Sequence, residues 1–130
     1  GLTQLDEKTV WRAIAESGVK YEDWTARKEY DHDKTYLHLY LEMKKGQQQD
    51  NLDQVIDNKL QELDADYREI GSWLNLQPVK VTVLSSGAFG SYYQEKQKEG
   101  ADLAHLKPPH MNASDAMIQR LLFFSLQLSK

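Results

Sequence analysis

The sequence predicts an α+β fold in which a mixed sheet of three or four strands carries helices packed on it. Segments whose apolar residues recur at helical spacing alternate with shorter segments in which every second residue is apolar. The predicted order is α-β-β-α-β-α-α, and its first five elements follow a ferredoxin-like βαββαβ core if one more strand precedes them. That first strand is either residues 2–5 or lies outside this chain. The last two helices are additions at the C-terminal end.

A helix and a hairpin are predicted first. Residues 6–16 place Val10, Trp11 and Ile14 at helical spacing, and a glycine at position 18 can end the helix. Residues 19–30 are rich in strand-forming side chains, and the Asp-His-Asp run after them supplies turn chemistry. In the second strand apolar residues alternate with aromatic and polar ones, so one face is predicted to be core.

The middle of the chain predicts a long helix and a third strand. An apolar stripe runs from Leu52 to Ile70, with Asp50 or Asn51 as the cap and Gly71 as the end. Residues 77–84 then alternate as a strand does. Two further helices follow, one opening after the Ser-Ser-Gly run at 85–87 and one beginning at Asn112 or Ser114.

Length, charge and composition limit the class of protein. With 130 residues the chain is predicted to form a single domain, residues 1–130. The net charge is −4 and no basic stripe is interleaved with aromatic residues, which argues against a nucleic-acid partner. Cysteine is absent, and no leader or long apolar run is seen, which favours a soluble cytoplasmic protein without a membrane contact.

Three candidate sites have ordinary structural explanations. The histidine and aspartates at 31–33 are explained by turn chemistry, and His38 by partial burial on the second face of its strand, so no metal site is predicted. A serine-glycine run between a strand and a helix can hold an anion, but it more often only caps the helix. The second face of the sheet is both aromatic and polar, which suits contact with another domain or cover by the chain's own helices. Its predicted members are Tyr36, His38, Tyr40, Lys80 and Thr82.

A lysine stands in a stiff loop near the end of the chain. Lys107 is followed by Pro108, Pro109 and His110, and proline restricts both itself and the residue before it, so Lys107 cannot lie inside a helix. A loop lysine is usually just solvated. A cation on a rigid arm can also reach toward a phosphate or a carboxylate.

Three stretches, in order along the chain, carry a resemblance to a known family. They are Asp23-Trp24-Thr25-Ala26, Gly87-Ala88-Phe89, and Gly100 followed by Lys107-Pro108-Pro109-His110. They resemble an Asp-aromatic-Thr-Ala strand, a Gly-x-Phe helix start and a Lys-x-Pro-Arg turn in the C-terminal domain of the Gretchen Hagen three family. These are auxin-responsive acyl acid amido synthetases, with bacterial relatives, among the adenylate-forming enzymes. In the last motif His110 replaces the arginine.

The resemblance implies a larger enzyme of which residues 1–130 are the mobile C-terminal lid. An N-terminal adenylation domain would bind ATP with Mg²⁺ and a carboxylic acid, form an acyl-adenylate, and pass the acyl group to an amine or amino acid. The resemblance further implies that Lys107 is the catalytic lysine of the adenylation step, that His110 joins it at the adenylate, and that Pro108 and Pro109 shape the loop. The isolated domain is then expected to be inactive. The alternative is a free-standing ferredoxin-like interaction or ligand-sensing module.

Overall fold

The computed structural model describes residues 5–74, 79–100 and 110–130, and for residues 70–74 it describes the backbone alone. Within these ranges the elements are α1 (Glu7–Glu16), β1 (Tyr21–Asp31), β2 (Lys34–Met43), α2 (Leu52–Leu63), α3 (Ala65–Leu74), β3 (Val79–Leu84), α4 (Ala88–Lys98) and α5 (Asp115–Leu128). The predicted α+β class is confirmed, with a mixed sheet and two helices after its last strand. The first-strand prediction, residues 2–5, falls mainly outside the described residues, and Leu5 itself is not in a strand.

The sheet has the order β1-β2-β3. Strands β1 and β2 form an antiparallel hairpin, with Trp24 opposite Leu41 and Ala26 opposite Leu39. Strand β3 pairs directly with β2 and runs parallel to it, with Leu39 opposite Val81. Within the described residues no gap for a further strand separates β2 from β3. Strand β3 takes the place beside β2 that the first strand holds in a ferredoxin-like unit.

Helices cover both faces of the sheet, so the described residues form three layers. On one face, α1, α2 and α3 pack on the sheet through a core that includes Ile14, Ile56 and Leu60. On the other face, α4 and α5 pack on it through a second core that includes Phe89, Ile118 and Leu121. Strand β2 is therefore buried on both sides: the apolar face predicted from the sequence contacts the first core, and the second face is covered by the two last helices.

The helix predicted as one long element is two helices. Asp64 has extended backbone angles, φ −137° and ψ 113°, and its side chain accepts a hydrogen bond from the Tyr67 amide at 2.9 Å. Aspartate in that position begins a helix rather than continuing one, which is why the chain turns here despite an unbroken apolar stripe. The second of the two helices passes through Gly71, where the sequence predicted an end, and stops at Leu74. Ser114, one of two predicted caps, accepts from the Met117 amide and begins α5.

Candidate functional site

Lys107, Pro108 and Pro109 lie outside the described residues, so the predictions made for them stay predictions. The description of the chain resumes at His110, which is the last residue of the same motif. The site is therefore built from His110 and from the groups that surround it.

The side chain of His110 contacts α1 and β1 at the same time. Its ring stacks on the indole of Trp24, with the ring centroids 4.5 Å apart and an interplanar angle of 13°. Nδ1 lies 3.1 Å from Oε1 of Glu7 on α1, and Nε2 lies 3.3 Å from Oδ1 of Asp23 on β1. Both ring nitrogens thus face carboxylate oxygens, which accept hydrogen bonds.

The backbone around His110 is bound to the outer edge of β1. The amide of Ala26 donates to the carbonyl oxygen of His110 at 2.7 Å, and the Thr25 hydroxyl donates to the same oxygen at 3.2 Å. Met111 forms a parallel bridge with Ala26, and the Ala113 amide donates back to the Ala26 carbonyl oxygen at 3.4 Å. Met111 packs on the first core and Ala113 belongs to the second, so this segment crosses the edge of the sheet from one helical layer to the other.

Asp23 joins this segment to α4. One of its carboxylate oxygens accepts from the Trp24 amide at 2.8 Å and faces His110, while the other accepts from the Tyr93 hydroxyl. Burial raises the pKa of Tyr93, and the hydrogen bond to Asp23 raises it further, so the hydroxyl keeps its proton and donates. Asp23 and Tyr93 also line a cleft of about 530 Å³ beside the N-terminus of α4.

The N-terminus of α4 already holds an anion from the chain itself. The carboxylate of Glu42, on the second face of β2, accepts from the Gly87 amide and from the Phe89 amide, each at 2.9 Å. Glu42 is buried, and a buried carboxylate needs hydrogen-bond donors. The amides at the start of α4, which have no partner within the helix, and the helix dipole meet that need. The serine-glycine run predicted as a weak anion site is thus occupied by an internal carboxylate.

The second face of the sheet is organised around Glu29 of β1. Oε1 of Glu29 accepts from Nδ1 of His38 at 2.8 Å and from the Tyr36 hydroxyl at 3.2 Å. Oε2 accepts from Nε of Arg27 at 2.9 Å and from the Tyr40 hydroxyl. Burial alone raises the pKa of Glu29, but the hydrogen bonds from His38, Tyr40 and Arg27 outweigh it and lower the pKa to about 2.

The protonation of His38 follows from this geometry. Burial lowers the pKa of His38, and the neighbouring Glu29 offsets this lowering only in part, so the ring is neutral near pH 7. Since Glu29 is ionised and can only accept, Nδ1 of His38 carries the proton. Nε2 then accepts from the Thr82 hydroxyl on β3, 2.6 Å away. Strands β1, β2 and β3 are thereby joined by one chain of hydrogen bonds.

The same face offers less free surface than the sequence predicted. His38 and Tyr40 are buried, and Arg27 reaches from β1 to Asp115 at the start of α5. Lys80 is exposed, and Tyr36 and Thr82 are half-buried. Cover by the chain's own helices is therefore observed. A contact with another domain stays a prediction, and it applies to the exposed side chains of this set.

Two further properties of the described residues bear on function. Ranges 5–74, 79–100 and 110–130 contain no group of three or more His, Cys, Asp or Glu side chains that can hold a metal ion. In those same ranges, no helix has the length and apolar character needed to cross a membrane.

Sequence reasoning did not identify the carboxylates that organise these sites. Glu29 and Arg27 are two apart in β1, which places them on one face of the strand, and that spacing was the available signal for the Glu29 cluster. The pairing of Glu42 with the start of α4 has no such local signal, because its partners lie on an element far along the chain.

Comparisons with known proteins agree with this architecture. Residues 7–116 match a protein family described as "GH3 family C-terminal domain". A solved structure described as "GH3.15 acyl acid amido synthetase" is similar with a TM-score of 0.66 and 20% sequence identity, over 88% of this chain and 23% of that one. Another, "AtGH3.15 acyl acid amido synthetase in complex with 2,4-DB", is similar with a TM-score of 0.57 and 20% identity, over 88% of this chain and 22% of that one.

The family match and the two structural similarities support different statements about this chain. The two solved structures share the fold with this chain, which spans less than a quarter of their length. No curated protein matches the sequence.

Proposed function

The chain belongs to the GH3 family as its C-terminal domain, and from that premise we propose that it is the mobile lid of an ATP-dependent acyl acid amido synthetase. The observation that carries the proposal is the family match, which extends over residues 7–116 and so includes every element up to the start of α5. The proposed reaction joins a carboxylic acid to an amine or amino acid through an acyl-adenylate.

The partner of this domain is proposed to be an N-terminal adenylation domain of the same chain. The structures similar to this one are about four times its length, so an enzyme of that kind has room for a separate nucleotide-binding domain. We propose that ATP, Mg²⁺ and the carboxylic acid bind mainly there. The mobile domain then acts by approaching that site and leaving it.

Lys107 is the residue proposed to act on the reaction directly. When a carboxylate attacks the α-phosphorus of ATP, two anions approach one another, and charge builds on the phosphoryl oxygens and on the departing pyrophosphate. A positioned ammonium group lowers that barrier by stabilising charge that is greatest in the transition state. Because the amine must then reach the acyl carbonyl, a cation that withdraws after adenylation is better carried by a moving domain than by the fixed pocket.

His110 was predicted to join Lys107 at the adenylate. In this structure its ring nitrogens already face Glu7 and Asp23, and its ring is stacked on Trp24. Direct contact of His110 with the adenylate would require these interactions to be exchanged for new ones. We therefore assign the direct cationic contact to Lys107 alone.

The test is ATP–pyrophosphate exchange, which measures reversible adenylation without the amine. The complete protein should exchange labelled pyrophosphate into ATP only when a suitable carboxylic acid from a panel is added. Residues 1–130 alone should show no exchange. Absence of acid-dependent exchange by the complete protein, across the panel, would overturn the proposal.

The alternative, a free-standing interaction or ligand-sensing module, predicts a different result for residues 1–130 alone. A module of that kind would bind its ligand as residues 1–130 alone, with no dependence on ATP. Saturable, ATP-independent binding of a panel acid to the isolated chain would favour it over the lid.

A further inference from the structure

We propose that the outer side of α5 is a docking surface for the N-terminal adenylation domain of the same chain. The surface consists of Leu122, Phe123 and Leu126, which we call the α5 stripe. The identity of the partner rests on the proposed function. The existence of the surface follows from the described residues.

Helix α5 carries apolar side chains on two opposite sides. One set is buried in the second core, and its members are Met117, Ile118 and Leu121. The α5 stripe points away from that core: Leu122 is 36% exposed, Phe123 43% and Leu126 66%. Positions i, i+1 and i+4 of a helix are neighbours on its surface, so these side chains form one patch rather than scattered single exposures.

The C-terminal part of α5 lacks the charges that a surface helix usually carries. Residues 121–129 contain no Asp, Glu, Lys or Arg. By contrast, the exposed positions of α2 are all polar, namely Asp53, Gln54, Asn58 and Glu62. A helix that is apolar on all sides is normally buried on all sides. This composition therefore indicates that a second surface covers the α5 stripe in the complete protein.

The rim of the α5 stripe is polar, and its charge is paired. Cζ of Arg120 lies 4.6 Å from the ring centroid of Phe123, and Nη2 of Arg120 lies 2.9 Å from Oε1 of Glu95 on α4. Interfaces commonly place an apolar centre inside a polar rim, and an unpaired charge is costly to bury. Because Arg120 already has a carboxylate partner, docking on the α5 stripe leaves this charge compensated.

The size of the α5 stripe favours a domain of the same chain over a second copy. Three partly exposed side chains offer on the order of a few hundred Å², whereas stable association of two proteins buries about 800 Å² per partner. A domain joined through the backbone is present at a high effective concentration, so a smaller contact suffices.

The similar structures have room for such a domain, and the movement of a lid requires a contact of this kind. The present chain covers 22–23% of those structures, so more than three quarters of their length lies elsewhere. A small apolar contact can form and break again, as a lid that approaches the adenylation site and leaves it must do.

The test measures how fast a thiol beside the α5 stripe reacts in the complete protein. Gln119→Cys places the thiol on the same side of α5, one turn before the stripe. Gln54→Cys is the matched control, because Gln54 is also exposed on a helix, and that helix, α2, packs on the other face of the sheet. Residues 1–130 contain no cysteine, so digestion and mass analysis identify the labelled peptide.

Maleimide labelling is followed without ligand, with ATP and Mg²⁺, and after addition of the acid panel used for the exchange assay. We expect Gln119→Cys to react about 10-fold or more slowly than Gln54→Cys in at least one of these conditions, because a covered thiol reacts only when the contact opens.

Further substitutions in the Gln119→Cys background test whether the α5 stripe causes this protection. Phe123→Gln combined with Leu126→Gln should bring labelling to within about 2-fold of the control rate, because docking would then bury two amides without partners. Tyr30→Gln, at an exposed aromatic residue of β1, should leave the protection unchanged. Thermal unfolding shows whether each variant is folded. If the double variant unfolds, Leu126→Gln alone, at the most exposed of the three positions, should still speed labelling.

Three results would overturn the docking surface. They are equal labelling of Gln119→Cys and Gln54→Cys in every condition, protection that persists in the folded stripe variants, and protection that rises with protein concentration as a dimer appears in light scattering. The last result would make a second copy the occupant. Pyrophosphate exchange in the same preparations reports on the proposed function separately. Exchange without protection would reject the docking surface alone, whereas protection without exchange would reject adenylation and leave docking on the rest of the chain in place.

Discussion

The imidazole of His110 lies parallel to the indole of Trp24, with their centroids 4.5 Å apart. This contact joins the end of the lysine-proline motif to the first strand. It also places a polar ring against a residue whose other surfaces are buried among aliphatic side chains of the first core. Trp24 therefore serves both the stability of the domain and the placement of the His110 ring.

Replacing Trp24 should destabilise the domain. We expect Trp24→Ala to lower the free energy of unfolding by about 3–5 kcal/mol, because it removes a large side chain that is 2% exposed and leaves a cavity. Trp11→Ala is the matched control, since Trp11 is 46% exposed and its loss should cost about 1 kcal/mol or less. Urea denaturation of both variants measures the difference, and equal costs would contradict the assigned packing of Trp24.

Lys107→Ala in the complete protein should affect one half-reaction. Adenylation should slow by on the order of 10²-fold, the scale for losing one preorganised electrostatic donor. Transfer from a presynthesised acyl-adenylate to the amine should be spared, because the lid has withdrawn by then. Single-turnover assays measure each step, with Lys98→Ala at the exposed end of α4 as the control. Equal losses in both half-reactions would exclude a step-specific role.

Tyr67 and Asp57 form a buried pair between α3 and α2. The Tyr67 hydroxyl donates to Asp57, which also accepts from Gln61 at 2.7 Å. Tyr67→Phe should lower the free energy of unfolding by about 1–3 kcal/mol, because a buried carboxylate loses a donor. Tyr30→Phe is the control, since Tyr30 is 72% exposed. Chemical denaturation tests this, and no difference between the two variants would mean that water replaces the lost donor.

The Glu29 cluster should make the domain less stable in acid. The pKa of Glu29 is lowered to about 2, so its stabilising contribution is complete above its unfolded pKa near 4.5 and is lost as pH falls toward 2. Because burial lowers the pKa of His38 from 6.5, the unfolded chain binds that proton at higher pH, and this contribution also declines below about pH 7.

We therefore expect the free energy of unfolding to fall continuously from pH 7 to pH 3. His38→Asn should reduce the pH dependence of the unfolding free energy near pH 6, and Glu29→Gln should reduce it below about pH 5. Both variants should be less stable than the wild type at pH 7. Urea titrations at a series of pH values measure these slopes. If the unfolding free energy of Glu29→Gln depends on pH as strongly as that of the wild type, other carboxylates account for the acid sensitivity.

Glu42 should be required for the start of α4. Glu42→Gln replaces a carboxylate that accepts from two amides by a neutral group with one acceptor oxygen, and we expect a loss of about 1–3 kcal/mol. The exposed Glu69→Gln should change stability by less than about 0.5 kcal/mol. Hydrogen exchange should show faster exchange at Gly87 and Phe89 in the first variant only. Unchanged protection there would rule out the capping role.

The sequence by itself determined most elements of this domain and their order, with one helix predicted where the structure has α2 and α3. Helical spacing, strand alternation and capping residues are local, so α1, the β1–β2 hairpin, β3 and the two C-terminal helices could be predicted from neighbouring residues. The break at Asp64 was missed because the apolar stripe continues across it, although the capping side chain is itself a local signal.

Only the tertiary structure decided which side chains meet. Asp23 contacts His110, Glu42 caps α4, and His38 joins Glu29 to Thr82, and in each case at least one partner lies on an element distant in the sequence. The parallel pairing of β2 with β3 was likewise not predictable from alternation, which specifies faces but not neighbours. Periodicity along a chain indicates which face of an element is apolar. The partner of a buried charge depends instead on which residues of the neighbouring elements lie opposite it after packing.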